Sequence, residues 1–409
     1  MFVVIALTAV PLAGQRPTSR PGRGDQGSGY ATGRADLRSG PSRPGAGACP
    51  GSTHDGHAST SPSMDEHLLQ FCGMFPKTDA THTAAISGPW SDPRTWNGRV
   101  PGNDAKVVIP AGVTVTLDRE LAAPLFWVRV EGILRFSAET NTSLVADTIK
   151  IEDSGRLEIG TAAKPIPAGT TARIIIKARG GQPIDHRWDP LELSRGVIVH
   201  GMVEIHGAAK TPFVALSAMP RAGSASVVTD AAPTGWAPGD SVVLTATEYD
   251  QDETFKLVRI DGKTITLDRP VRNQRTLPEF EDAPGWPRPA LHLANFTRNV
   301  EIRTDPAHAG DSKLQGHLML MHRAGQKLSW VGLYDLGRTT IKPVTDPSMR
   351  DGSRNAGVNP SAGLLAENIR GRYALHFHGA GPGRESSQVE GCAIEVRRGA
   401  GFKIGVANH

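Results

Sequence analysis

Cysteine is scarce in this 409-residue chain: Cys49, Cys72 and Cys392 are the whole complement, too few and too scattered for a disulfide framework or a zinc cluster. Aromatic residues are only 5% of a chain long enough for two or three domains. Long apolar runs are missing as well. The opening stretch "MFVVIALTAVPLAG", residues 1–14, is too short to cross a bilayer; it matches the length of a signal-segment core, although no basic residue precedes it. No integral membrane span is expected. Charge of one sign is lacking too. The 45 Lys and Arg against 41 Asp and Glu give a net +4, which sets no nucleic-acid footprint and leaves an acidic polymer open as a partner.

What is abundant is glycine (46) and proline (31), together with many Val and Ile, a composition of short strands joined by turns. Residues 15–62 are Arg, Gly, Pro and Ser with almost no large apolar side chain, so the expectation there is a disordered linker. Within 63–84, Ser63 followed by Glu66 ahead of Leu68, Leu69 and Phe71 is a capping-box pattern, which predicts one short helix over Met64–Phe71 as a cap. Beyond it, apolar triplets recur at Val107, Val128, Ile149, Ile174 and Val197, in steps of about two dozen residues as solenoid repeats do. Most are followed, past a turn such as "EG", "DSG" or "HG", by a second short strand. A strand, a turn and a second strand repeating in this way predict an all-β fold built as a solenoid, with a β-sandwich as the alternative. Residues 213–288 break the rhythm and read as a small β insertion, with "DGK" at Asp261 as a hairpin signal. The solenoid texture resumes over 289–409. It ends in strand character with no capping segment, which predicts that further coils pack on Val389 to Val406.

The segments "SGPWSDPRTWNGRVPGNDAKVVIPAGVTVTL", with Trp90 and Trp96, then "GVIVHGMVEIHGAAKTP", "ANFTRNVEIRT", "GHLMLMH", "YDLGRT" and "RYALHFHG" resemble, in that order, the eight-glycine (G-eight) domain and the coils C-terminal to it. The family is that of the cell-migration-inducing hyaluronan-binding protein, the fibrocystin-like receptors and their bacterial relatives. The resemblance runs over roughly residues 85–409, with 85–212 as the eight-glycine domain. It implies a right-handed parallel β-helix, an extracellular or cell-surface setting and, for some members, depolymerisation of hyaluronan. Other members are receptor-like and have no established catalysis.

In "YALHFH", Tyr373, Leu375 and Phe377 share one strand face, and Ala374, His376 and His378 the other. The large apolar set is the one to bury. The two histidines are therefore expected to face outward, where substitution by alanine would leave the fold intact while Leu375→Ala would not. Outward imidazoles could share a divalent metal ion, bind an anionic sugar, or act as acid and base; they could equally be solvated surface histidines. His322 is the expected third metal ligand. Asp335 and Arg338 lie in a turn-like stretch, and Arg370 and Arg372 suit a uronate carboxylate because guanidinium pairs with it bidentately. The expected site is a groove across adjacent coils. His376, His378, Asp335 and Arg338 would be its catalytic groups, and Arg370 and Arg372 its substrate-binding groups. The expected function is action on, or binding of, an acidic polysaccharide such as hyaluronan, with hydrolysis ahead of elimination. A non-catalytic carbohydrate-binding or adhesion module, or a structural segment of a larger surface protein, are the alternatives.

Overall fold

Short runs that alternate apolar with polar residues make strands with one dry face, and here those strands stack in parallel. The computed structural model of the protein describes residues 74–189, 192–248, 251–277, 290–321, 323–340, 368–378 and 386–395, with the backbone of 406–408. The expected short helix and the linker before it lie outside these residues. The first coil holds β1 (His82–Thr83) and β2 (Gly88–Pro89), the second β3 (Lys106–Ile109) and β4 (Thr114–Leu117), and the third β5 (Leu125–Val130) and β6 (Ile133–Phe136). β7 (Thr142–Ile151) serves two coils. Its first half pairs with β9 (Ala172–Ile176), reached through β8 (Arg156–Ile159), and its second half pairs with β5 and with β10 (Gly196–Val199).

After β11 (Met202–His206) the chain leaves the coil for six strands: β12 (Phe213–Ala215), β13 (Ser226–Val228), β14 (Ser241–Leu244), β15 (Glu253–Asp261), β16 (Thr264–Leu267) and β17 (His292–Asn295). It returns as β18 (Val300–Thr304). The next coil is β19 (Leu318–Met321), β20 (Lys327–Ser329) and β21 (Val331–Tyr334). The one after is β22 (Leu375–His378), β23 (Gln388–Glu390) and β24 (Ala393–Glu395), and β25 (Val406–Asn408) pairs onto β22.

The result is a parallel β-helix with three faces. The first runs β1-β3-β5-β7-β10-β19-β22-β25, the second β2-β4-β6-β8-β11-β20-β23, and the third β7-β9-β18-β21-β24. Inward side chains stack row on row. Val107, Val128, Ile149, Val197 and Leu318 are in register on the first face. Leu117, Phe136, Ile159, Ile205 and Leu328 stack on the second, and Leu144, Ile174, Ile302, Leu333 and Ile394 on the third. All of them are buried in one core. The Ile174 triplet does not open a coil of its own: it is the third face of the coil that the second half of β7 begins, and the first-face row passes from Ile149 directly to Val197. Three faces, with a long connection after β9, lengthen this turn of the helix.

The six strands after β11 form an antiparallel sheet in the order β12-β17-β14-β15-β16-β13, and the bridge from Leu216 to Thr229 joins its two ends into a barrel. Asp261 pairs with Thr264 across the expected hairpin turn, with Gly262 at φ 58. The barrel has its own core around Trp236, Leu244, Phe255, Leu257 and Leu293. It docks through Val243, Ala294 and Phe296 on Tyr334 and Ala393 of the third face. The Tyr334 hydroxyl donates to the Phe296 carbonyl, and buried Arg298 donates from Nε to the Gly391 carbonyl at 2.7 Å.

The turns from first to second face use glycine because coils approach each other closely there. A Cβ on Gly155 would lie 2.2 Å from the Val130 carbonyl oxygen, and one on Gly201 would lie 2.2 Å from that of Gly155. Both oxygens are backbone and cannot rotate away. Gly155→Ala and Gly201→Ala are each expected to lower stability by about 1–3 kcal/mol, the usual cost of overpacking. Urea unfolding measures this, and unchanged midpoints would mean that the coils separate at these turns without cost.

Candidate functional site

β7 passes from the third face to the first without a break, but the returns after β9, after β18 and after β21 are long. The described parts of these connections meet on one corner and bring most of the expected site residues there. The connection after β9, described over residues 177–189 and 192–195, folds back as a strap over the outer side of the first face. Its shape comes from Asp189, whose carboxylate accepts from the Leu193 and Ser194 amides at 2.8 and 2.7 Å and from the Ser194 hydroxyl at 2.6 Å. Burial pushes this carboxyl above its usual range. Leu193 and Trp188 then rest on an outer apolar layer of Phe75, Trp127, Ile198, Met319 and Met321.

Two arginines from later coils hold the strap. Arg338 donates from Nη2 to the Glu192 and Ser194 carbonyls at 2.8 and 3.1 Å, and from Nη1 to the Gln315 and Arg195 carbonyls at 2.7 and 3.1 Å. Its Nε lies 3.4 Å from the Glu192 carboxylate. Arg372 donates from Nε to the same Glu192 carbonyl at 2.8 Å. Burial lowers the Arg338 pKa to about 10, so it stays charged at neutral pH. Burial alone would raise Glu192, but the hydrogen bond with His186, 2.9 Å away, and the charges of Arg338 and Arg372 hold it below its usual value.

His376 does leave the core face, as alternation requires, but it does not reach solvent. It is 1% exposed, with Nδ1 2.8 Å from the Gly371 carbonyl and its ring between those of Tyr373 and His378, at 4.9 and 5.1 Å. Gly371, at φ +87, has no Cβ because the ring occupies that space: a Cβ would sit 3.0 Å from His376 Cε1. The expectation of an open groove therefore fails for His376, Arg338, Arg372 and Asp335, all buried. Alternation tells which face a side chain leaves by; it does not tell that a strap covers that face. Asp335 sits in other company, at φ 56, with Oδ2 3.8 Å from Arg303 Nη2. His378 and Arg370 are half-buried. His322 lies outside the described residues, and among those described no three His, Cys, Asp or Glu side chains come together as a metal ion would need.

His317 emerges as a member of this corner. It is fully buried, with Nδ1 3.1 Å from the strap carbonyl of Arg195. Burial first, then the charges of Arg338 and Arg372, hold its pKa well below the usual value. A different group, on the strap, was missed by the sequence reading. The Phe126 and Trp188 rings lie 5.4 Å apart, both half-buried, and the Arg179 guanidinium is 4.1 Å above Phe126 while it pairs bidentately with Asp104. Lys106 Nζ approaches the same ring at 6.0 Å, and Arg187 beside Trp188 is exposed. In a chain with so few aromatics, "RWDP" at 187–190 was the available signal.

Residues 95–217 match the family described as the G8 domain. This stretch is a G8 domain. It takes in β3 to β12 and the whole strap, while Arg338, Arg372 and His376 belong to coils beyond it. Among curated proteins the chain is similar to human (Homo sapiens) fibrocystin-L, 26% identical over 335 residues, covering 75% of this chain and 7% of that protein. It is also similar to dog (Canis lupus familiaris) fibrocystin, 27% identical over 250 residues, covering 57% of this chain and 6% of that protein. The chain thus spans less than a tenth of the length of these relatives. Among solved structures, the Pseudomonas phage phi297 tailspike gp61 matches 53% of this chain and 30% of its own at 14% identity with a TM-score of 0.19, a likeness that carries no argument.

Burial changes what His376→Ala should do: a loss of about 2–4 kcal/mol on chemical unfolding, the size of a core truncation plus a broken hydrogen bond. A neutral result would show that the corner is open in solution. The strap is also expected to be best protected near neutral pH. His317, depressed in the folded state, favours folding fully above its unfolded value of 6.5, and the benefit falls as acid drops through its folded pKa. His186, raised by its hydrogen bond to Glu192, favours folding below 6.5 and loses this as pH rises through its folded pKa. Amide protection across 185–189 and 192–195, taken relative to the unprotected exchange rate at each pH, should therefore fall on both sides of neutrality, and a monotonic protection profile would contradict the pairing.

Proposed function

We propose that this chain is an extracellular β-helix module that holds an acidic polysaccharide of the hyaluronan kind on the outer side of its first face. The observation that supports this most is the Phe126–Trp188 pair with Arg179, Lys106 and Arg187 around it. A uronate polymer alternates apolar sugar-ring faces with carboxylates. Aromatic rings interleaved with guanidinium and ammonium groups complement both parts of that pattern. The extracellular setting rests on the likeness to the fibrocystins, and among the described residues no helix is long and apolar enough to cross a membrane.

Binding is favoured over cutting because Arg338, Arg372 and His376 are engaged with backbone carbonyls under the strap. A depolymerising reading draws on His378 and Arg370, which remain partly exposed beside His376.

On immobilised hyaluronan the chain should be retained at low salt and released as salt rises, since exposed cation–carboxylate contacts are screened over about 8–10 Å at physiological ionic strength. Arg187→Ala and Trp188→Ala should each weaken retention by about threefold to tenfold, or about 0.7–1.4 kcal/mol, and the polymer should keep its length. Equal retention on neutral dextran, or variants that bind as the parent does, would remove this reading; shortened chains would favour the depolymerising one.

A further inference from the structure

Asn141-Thr142-Ser143 and Asn295-Phe296-Thr297 are Asn-X-Ser/Thr triplets without a middle proline. A folded domain accommodates an N-linked glycan only where the asparagine amide nitrogen opens to solvent, and here the two asparagines differ. Asn295 is 2% exposed, and its Nδ2 donates to the Asp240 carboxylate at 2.7 Å beside the barrel's contact with the third face. A glycan there would break that bond and separate barrel from helix. Asn141 is exposed at the turn between β6 and β7. Its Oδ1 accepts from the Thr171 amide at 2.9 Å, so the hydrogen bond that orders the turn uses the oxygen and not the nitrogen. Nearby, Glu139 and Lys164 pair with side chains that are each 73% exposed, so the surface around the turn is open enough for a bulky polar group.

We propose that Asn141 is an N-glycosylation site of this chain and that Asn295 is not. The proposal rests on the extracellular part of the preceding reading, not on its ligand. The donor is a lipid-linked oligosaccharide pyrophosphate: Nδ2 loses a proton and bonds to the anomeric carbon, and the pyrophosphate departs with the electrons of the broken C–O bond. Oδ1 keeps its bond to Thr171 throughout. Asn141 stands between the second and third faces, away from the Phe126–Trp188 group on the first, so a glycan at this position and a polysaccharide on the strap occupy different surfaces.

The test is to secrete the full chain from eukaryotic cells behind a cleavable signal and map the peptides after amidase removal of N-glycans, which converts a modified Asn to Asp. Conversion at 141 with an intact 295 is expected. Asn141→Gln and Ser143→Ala should each remove the whole mass step, and Ser143→Thr should retain it. A secreted chain unmodified at 141, or modified at 295, would overturn the proposal. The hyaluronan assay is unaffected by either outcome, so a chain that binds the polymer yet lacks a glycan rejects this proposal alone.

Discussion

Lateral register between coils is the constraint on which everything else in this molecule depends. A single coil has too little interior to bury its own aliphatic residues; Leu333 is dry only because Ile302 lies on one side of it and Ile394 on the other. The parallel ladders fix which residue meets which, and a slip by one position would turn a whole strand's apolar set outward. Close turns such as Gly155 and Gly201 arise from the same constraint, because coils held in register leave no room for a side chain where one backbone passes over the next.

The strap is held differently, by buried guanidinium groups that donate to backbone carbonyls. A charged donor gives a neutral carbonyl a stronger hydrogen bond than an amide would, and a planar fork can serve several carbonyls at once. Arg338 reaches four of them. Since the strap lies in the G8 domain and Arg338 and Arg372 lie beyond it, the clamp couples the two stretches: loosening the later coils uncovers the outer side of the earlier ones.

Much of the fold was legible because it is written in periodicity. The triplets at Val107, Val128, Ile149 and Val197 do mark the first face, and the strands behind "EG", "DSG" and "HG" do form the second. The Ile174 triplet misled because a third-face strand has the same apolar signature as a first-face one; only pairing tells them apart. The candidate site was less legible. The separation of Leu375 from His376 came directly from alternation, but the burial of His376 depends on a strap whose contacts are 180 residues away in sequence, from Arg372 to Glu192. Long-range covering of this kind leaves no local pattern. The same holds for Phe126 and Trp188, which become neighbours only once the strap folds back.

The barrel leaves the helix after β11 and comes back as β18, and the coil that it interrupts still pairs on both sides, β11 with β8 and β20, β18 with β9 and β21. The two ends of the excursion therefore meet a fixed gap, whatever lies between them. Such a gap acts as a socket. Its contents can change in length and sequence over evolution, or be exchanged for another compact unit, as long as the replacement's termini lie equally close and it presents an apolar patch to Tyr334 and Ala393. A solenoid that grows by adding coils along its axis has in this position a second, sideways direction in which to acquire new surface.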